Sequence, residues 1–265
     1  MMPHLPVPKT YKLYIGGSFP RSESGRSYEV EGANVARASR KDVRDAVRAA
    51  RGAARAWAAA TAYNRGQVLY RIAEMLDGRR AQFAALAEDE REVDEAVDRW
   101  IWYAGWADKL AQVLGSSNPV AGPYFNFTVP EPVGVVGIVA PDSRPLGGLV
   151  ARLAPVVVGG NAAVVVASES RPLAAITLAE VLATSDVPGG VVNIVTGRKD
   201  ELAPVLASHL DVDALDLAGE AGDGAELERL AAENVKRVVR SGEGQSPWHA
   251  AAFLEMKTVW HPIGV

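Results

Sequence analysis

The chain has 265 residues, 48% hydrophobic and 23% charged, with a formal net charge of -4, enough for a sizeable core and without a basic field to attract nucleic acid. It contains no Cys, which excludes disulfides, thiolate nucleophiles, Cys-ligated zinc and iron–sulfur clusters within it. No run of about 18 apolar residues can span a membrane, and the Pro-rich opening MMPHLPVPKT lacks the apolar core of a signal peptide, so a cytoplasmic protein is expected.

Residues 1–10 read as a tail, and YKLYIGGSFPRSESG (Tyr11 to Gly25) as a short strand, a Gly-Gly turn and a polar loop. Helical signals follow. Ser39 with Asp42 three residues later forms a capping-box pattern. Val43, Ala46, Val47, Ala50 and Trp57 lie on one helical stripe. A second amphipathic helix is predicted over Tyr63–Leu76 and a third from Arg79. EDEREVDEAVD (Glu88 to Asp98) is strongly acidic, while Val93, Val97, Trp100, Ile101 and Ala104 keep the helical period through it. Its charges predict a solvated face. Trp100, Trp102, Tyr103 and Trp106 predict packing, because a base-stacking platform needs neighbouring cations.

From Gly115 the texture changes. Pro119, Gly122, Pro123 and Pro130 punctuate short β-like pieces such as YFNFTV. Strands are predicted at Val133–Ala140, Ala163–Val166, Val191–Val195, Val212–Leu217 and Val235–Val239, with four helical segments between them. That alternation predicts an α/β fold with a parallel sheet and right-handed crossovers. FLEMKTVWHPIGV reads as a terminal strand. The stretch IVAPDSRPLGG (Ile138 to Gly148) joins the first of these strands to a helix, at the carboxyl end of the sheet where such folds bind ligands.

EPVGVVGIVAP, RLAPVVVGGNAAVVVASE, VPGGVVNIVTG, DVDALDLAG, NVKRVV and WYAGWADKL resemble the aldehyde dehydrogenase superfamily in order and spacing, over residues 11–247 and again over 253–261. The resemblance implies a Rossmann-like cofactor domain, a catalytic domain and a subunit-joining β-flap. It also implies NAD(P)-dependent oxidation of an aldehyde by way of a Cys thiolate. In detail the chain is similar to the non-catalytic C-terminal domain of the two-domain (family sixteen) aldehyde dehydrogenases. The expected layout is a Rossmann-like parallel sheet with flanking helices (1–115 and 131–250) and an oligomerisation flap (116–130 and 251–265). The catalytic domain is expected to be absent, because WHAAAFLEMKTVW passes directly to what resembles the family's C-terminal strand.

Position by position, the family's functional residues are replaced. Where the family turn reads P-W-N-F-P, Pro141 and Pro145 remain and Ser143 stands at the oxyanion-donating Asn. Losing one such donor costs about 2.7–4 kcal/mol of transition-state stabilisation. In the K-P-x-E motif, Val166 replaces the ribose-contacting Lys and Glu169 is kept. In the pyrophosphate loop F-T-G-S-x-x-x-G, Gly219 and Gly224 remain, but Glu220 replaces the Ser and Asp223 lies close by. A carboxylate about 5 Å from a phosphate charge costs about 3 kcal/mol at an effective dielectric of about 20. In the E-L-G-G-K-S-P run Ser241 stands at the general-base Glu and Gln245 at the Lys, while Glu243 is expected to point elsewhere.

Glu169, Gly219 and Gly224 are therefore read as vestigial cofactor positions, with no catalytic residue assigned. NAD or NADP is disfavoured, and Glu169 is more simply a surface carboxylate at a helix N-terminus. His4, His209, His249 and His261 lack metal-ligand spacing. His209 reads as a helix-end residue, and His249 and His261 flank the terminal strand. Ser143, Ser241 and Ser246 lack a nucleophile elbow. The expected function is a pseudoenzyme without activity of its own, an assembly or regulatory subunit. Its partner is a second copy or a full-length aldehyde dehydrogenase, with no membrane or nucleic acid involved. The alternative is an NAD(P)-binding oxidoreductase, active or cofactor-binding only together with a full-length partner.

Overall fold

Short valine-rich runs alternating with longer helical ones set the order of elements in the computed structural model, which describes residues 9–87, 89–219, 224–240 and 242–264. The first half comprises β1 (Thr10–Tyr11), β2 (Ser27–Val30), β3 (Ala33–Ala36), α1 (Arg40–Ala59), α2 (Ala62–Asp77), α3 (Arg80–Ala87), α4 (Glu90–Trp106), α5 (Leu110–Leu114), β4 (Ser116–Asn118) and β5 (Tyr124–Pro132). Next come β6 (Val135–Val139), α6 (Gly147–Val158), β7 (Ala162–Val166), α7 (Leu173–Leu182), β8 (Val192–Val195), α8 (Lys199–Ser208) and β9 (Ala214–Asp216). The chain continues through α9 (Ala225–Ala232), β10 (Arg237–Val239), α10 (Pro247–Ala251) and β11 (Leu254–Pro262).

The central sheet is parallel throughout, in the order β10-β9-β6-β7-β8. Every residue of β6, β7, β8 and β9 is buried, as a sheet covered on both faces requires. The pleat sends Val136, Ile138, Val165 and Ile194 into the core shared with α2, α4, α6 and α7. It sends Val135, Val139, Val164 and Val166 toward α1 and α8. The expected α/β architecture is thus present, with shorter strands than the apolar runs. Val212–Leu217 contracts to Ala214–Asp216, and Val235–Val239 to Arg237–Val239. Val235 has φ +57, outside the strand region, so pairing begins only beyond it. Among the described residues no helix is long and apolar enough to cross a membrane.

The β2–β3 hairpin has no counterpart among the predicted elements. Glu31 and Gly32 both have positive φ, +52 and +69, which a two-residue hairpin turn needs to match strand twist. Its first position holds a Glu rather than the Asn or Asp that would signal it.

The capping box at α1 does form. Ser39 Oγ accepts from the Lys41 and Asp42 amides, and the Asp42 carboxylate accepts from the Ser39 amide at 2.7 Å. Asp42, buried, also accepts from the Ser22 hydroxyl at 2.9 Å and the Glu23 amide at 3.0 Å. One carboxylate therefore joins the helix start to the preceding loop. In α4, Trp100 and Tyr103 are fully buried, and Trp102 and Trp106 pack against the same core. The expectation of a solvated acidic face is corrected in part, because Glu92 and Arg99 are buried.

A separate antiparallel sheet has the order β11-β5-β4, with β5 and β11 in register from Leu254↔Pro132 to Pro262↔Tyr124. The short α10 turns the chain from Pro247 into β11, and Phe253 beyond it is fully buried. Asn161, also fully buried, donates to the carbonyls of Phe253 and Val156 and accepts from the Gly134 amide. Arg237 donates to the carbonyls of Ala252 and Leu254. Both fasten the root of the small sheet to the body.

Replacing Asp42 with Ala strips three donors of their charged acceptor and removes a helix cap, an expected loss of about 2 to 3 kcal/mol. Urea unfolding of the two proteins checks this, and an unchanged midpoint for Asp42→Ala would refute it.

Candidate functional site

In a sheet buried on both faces, side chains able to meet a ligand gather on the loops at its carboxyl edge. Here those loops follow β6, β7, β8, β9 and β10. The turn after β6 keeps its two prolines, both buried, around Asp142, Ser143 and Arg144. Arg144 has φ +53, a conformation that disfavours side chains other than Gly, Asn and Asp. Ser143 is exposed.

Asp142 points into the sheet edge. Its carboxylate accepts from the Ser168 hydroxyl at 2.7 Å, the Glu169 amide at 2.9 Å and the Lys199 ammonium at 2.9 Å. Burial works to raise this carboxyl, but the bonds from Lys199 and Ser168 outweigh it and hold it below the usual carboxylate range. Glu169 is also engaged. It accepts from the Lys199 amide at 3.0 Å, at the start of α8, and pairs with Arg198 at 3.2 Å. A carboxylate at a helix N-terminus is favoured there by the backbone dipole. Val166, at the end of β7, is fully buried and has no donor to offer. A cleft of about 400 Å³ beside these residues is lined by Tyr28, Arg37, Asp142, Glu169, Ser170 and Arg198. Burial, and the negative charges of Glu169, Glu31 and Asp142, push the Tyr28 phenol up.

On the other side of the turn, the start of α6 has no side-chain cap of its own. Glu92 of α4 provides one, its Oε1 accepting from the amides of both Leu146 and Gly147 at 2.7 Å. Arg144 is held between Glu95 and Glu243, with the second pair at 2.6 Å. Glu243 thus reaches back to the turn after β6, where its carboxylate is taken up by Arg144. Arg99 donates to the carbonyls of Gly147 and Glu243, Arg152 to that of Gly242 at 2.9 Å, and the Tyr103 hydroxyl to that of Ser246 at 3.1 Å. Burial pushes the Tyr103 phenol up to about 12, so it remains a donor at neutral pH. Gln245 is exposed.

The two glycines have structural explanations. A Cβ on Gly219 would lie 2.2 Å from the Val139 carbonyl oxygen and 2.4 Å from the Pro141 nitrogen, so only Gly can lie against the end of β6. Gly224 is the left-handed N-cap of α9, and a Cβ there would lie 2.4 Å from Arg240. Glu220, Asp223, Ser241 and His4 lie outside the described residues. His209 caps the C-terminus of α8. His249 faces the Gly242 loop, where burial and then the nearby Arg152 and Arg99 push it down, whereas His261 sits far along β11 opposite Phe125. The two are not brought together. Among the described residues no three His, Asp or Glu side chains gather to hold a metal.

Glu92, Glu95, Lys199 and Arg240 escaped the sequence reading. For the two glutamates a signal exists in retrospect: on α4 they share one face with buried Trp100 and Tyr103 neighbours, at helical spacing from Arg99.

A family model described as "Aldehyde dehydrogenase family" matches residues 26–260. Aldehyde dehydrogenase, cytosolic 1 of Elephantulus edwardii is 31% identical over 273 residues, covering 93% of this chain and 54% of that protein. Retinal dehydrogenase 2 of Homo sapiens is 30% identical, covering 92% and 51%. The structure of an aldehyde dehydrogenase from Bacillus cereus in complex with NAD+ superposes with a TM-score of 0.80 at 28% identity, covering 87% of this chain and 50% of that one. HpcC from Thermus thermophilus gives 0.82 at 30% identity, with 87% and 47% covered. The chain spans about half the length of the curated relatives it matches.

The Asp142 network carries a pH signature. A carboxyl held below its unfolded value, about 3.9, contributes stability that is complete above that pH and is lost as pH falls through the lower folded value. Asp142→Asn should therefore be less stable than the parent at pH 5 to 7, with the gap closing below about pH 4. Thermal melts across that range test it; a gap of equal size at pH 3 and pH 6 would rule it out.

Proposed function

Because the chain belongs to the aldehyde dehydrogenase family, we propose that it is a pseudoenzyme of that family, acting as an assembly or regulatory subunit through its β4–β5–β11 sheet, with a second copy or a full-length aldehyde dehydrogenase. One observation carries this reading. The groups of the Pro141–Pro145 turn that are suited to chemistry are already committed inside the protein. Asp142 is held by Lys199, Arg144 by Glu95 and Glu243, and the first amides of α6 by Glu92. A group that polarises a carbonyl must present a free donor where charge develops. The exposed Ser143 is the one side chain of the three left to offer a hydrogen bond, and the sequence contains no Cys to form a thiohemiacetal.

The described residues do not fit a dinucleotide. Val166 offers no contact, the Glu169 carboxylate is spent on α8 and Arg198, and Gly219 is required by its packing on β6. The alternative is an oxidoreductase that binds NAD(P) only beside a full-length partner; the cation nearest the α9 N-cap, Arg240, is itself engaged, paired with Glu228 at 2.9 Å.

Purified protein is expected to show no NAD- or NADP-linked aldehyde oxidation and to run above its 28.1 kDa chain mass in size-exclusion chromatography with light scattering, alone or mixed with a full-length relative. Turnover that survives removal of co-purifying enzymes would overturn the first half. A strict monomer that ignores every full-length relative at micromolar concentration would overturn the second. Heat from NAD binding to the mixture in excess of that from the full-length relative alone, with none from the chain alone, would favour the alternative.

A further inference from the structure

The small sheet ends in an open edge. In the order β11-β5-β4, the nine residues of β11 form the outer strand, paired on one side only among the described residues. All of β11 beyond Leu254 is exposed, including Met256 at 42%, Val259 at 42% and Trp260 at 59%. Tyr124 and Phe125 of β5 are exposed too, at 43% and 48%. A long edge with apolar side chains on both faces is a template for strand addition.

We infer that the occupant of this edge is β11 of a second copy, paired antiparallel about a two-fold axis through Thr258, so that two three-stranded sheets become one of six strands. The inference rests on the assembly reading above and names its partner. A two-fold axis normal to the sheet keeps each face on its own side, so only residues of equal parity can meet. Among such registers, an axis at Lys257 places two ammonium groups opposite each other, which is destabilising. An axis at Val259 places Lys257 opposite His261 and shortens the overlap. Thr258 is the midpoint of Leu254–Pro262, so an axis there alone overlaps the whole strand.

That register also matches the side chains. Glu255, whose carboxylate Arg237 already holds within one copy, lies opposite His261 of the second. Met256 faces Trp260, a sulfur–aromatic pair. Lys257 lays its aliphatic stem along Val259, and Thr258 faces itself. Within one copy Trp260 already meets Tyr124 edge-on, 5.8 Å between ring centroids. Two stripes running Tyr124, Trp260, Met256 would then cross the dyad on one face. Thr128 and Thr258 hydroxyls lie 3.0 Å apart, and the pair from each copy would form a four-hydroxyl row through the axis. Pro262 has no amide hydrogen, so the ladder stops there.

The absence of Cys makes the test clean. Residues opposed in an antiparallel pair have Cα atoms about 4.5–5.5 Å apart, within disulfide reach. Thr258→Cys should therefore oxidise to a covalent dimer of twice 28.1 kDa. Met256→Cys and Trp260→Cys should each stay uncrosslinked alone, since each residue lies about 14 Å from its own mate, yet crosslink when mixed. The unsubstituted chain should have dimer mass by light scattering. A dimer in which Thr258→Cys does not crosslink, or in which Met256→Cys crosslinks to itself equally well, overturns this register and leaves assembly standing. A chain that is monomeric alone but binds a full-length relative also overturns the self-pairing while sparing the broader reading. A chain that does neither removes both.

Discussion

Two backbone amides at the start of α6 need an acceptor that no neighbouring side chain supplies, and Glu92 brings it from another helix. Leaving them buried and unpaired would cost about 1–3 kcal/mol each. Meeting that demand fixes how α4 lies against α6, and the rest of the turn's surroundings follow from helical geometry. Glu95 comes three residues later and takes Arg144; Arg99 comes two turns on and holds Gly147 and Glu243; Tyr103 follows one turn beyond and holds Ser246. One face of α4 thus organises both the turn after β6 and the loop after β10. Each of these groups has its partner within the chain.

The same self-sufficiency marks the other side of the crevice. Asp142, Ser168, Glu169, Arg198 and Lys199 form a closed set in which each charge has a protein partner. The side chain of Lys199 is almost buried, and an ammonium in that position is tolerable only while its carboxylate stays ionised. The pair is therefore a structural unit: removing either member leaves the other uncompensated.

The parts legible in the sequence are those specified locally. Valine runs bounded by Gly and Pro identify the buried strands, and Ser39 with Asp42 identifies the start of α1, because both signals lie within a few residues. The resemblance carried by the apolar motifs gave the family. The β2–β3 hairpin was illegible because Glu31 adopts a conformation usually held by Asn or Asp. The roles of Glu92 and Arg99 were hidden for a different reason: alternating charges along an acidic helix read as solvated unless the neighbour that buries them is known, and α6 lies more than forty residues on. Asp142 was equally opaque, since its partners Ser168 and Lys199 come from two other strand ends. Gly219 and Gly224 were visible as glycines, but whether a glycine serves a ligand or a close backbone approach is decided by what a Cβ would strike.

The β4–β5–β11 sheet is built as a cantilever. Asn161, Arg237 and the buried Phe253 clamp its root at Leu254 and Pro132, while Tyr124 and Pro262 at the far end are exposed. Stiffness must then decline along its length, since local opening costs least where fewest buried contacts are lost. Bending at the root is opposed by the body of the protein, but twisting near the tip is opposed only by two neighbouring strands. The orientation of the sheet is accordingly set by the Rossmann-like core, and its curvature is left to whatever lies alongside it. Local opening of this arm is therefore expected to begin at the Tyr124–Pro262 end, away from the crevice at its root.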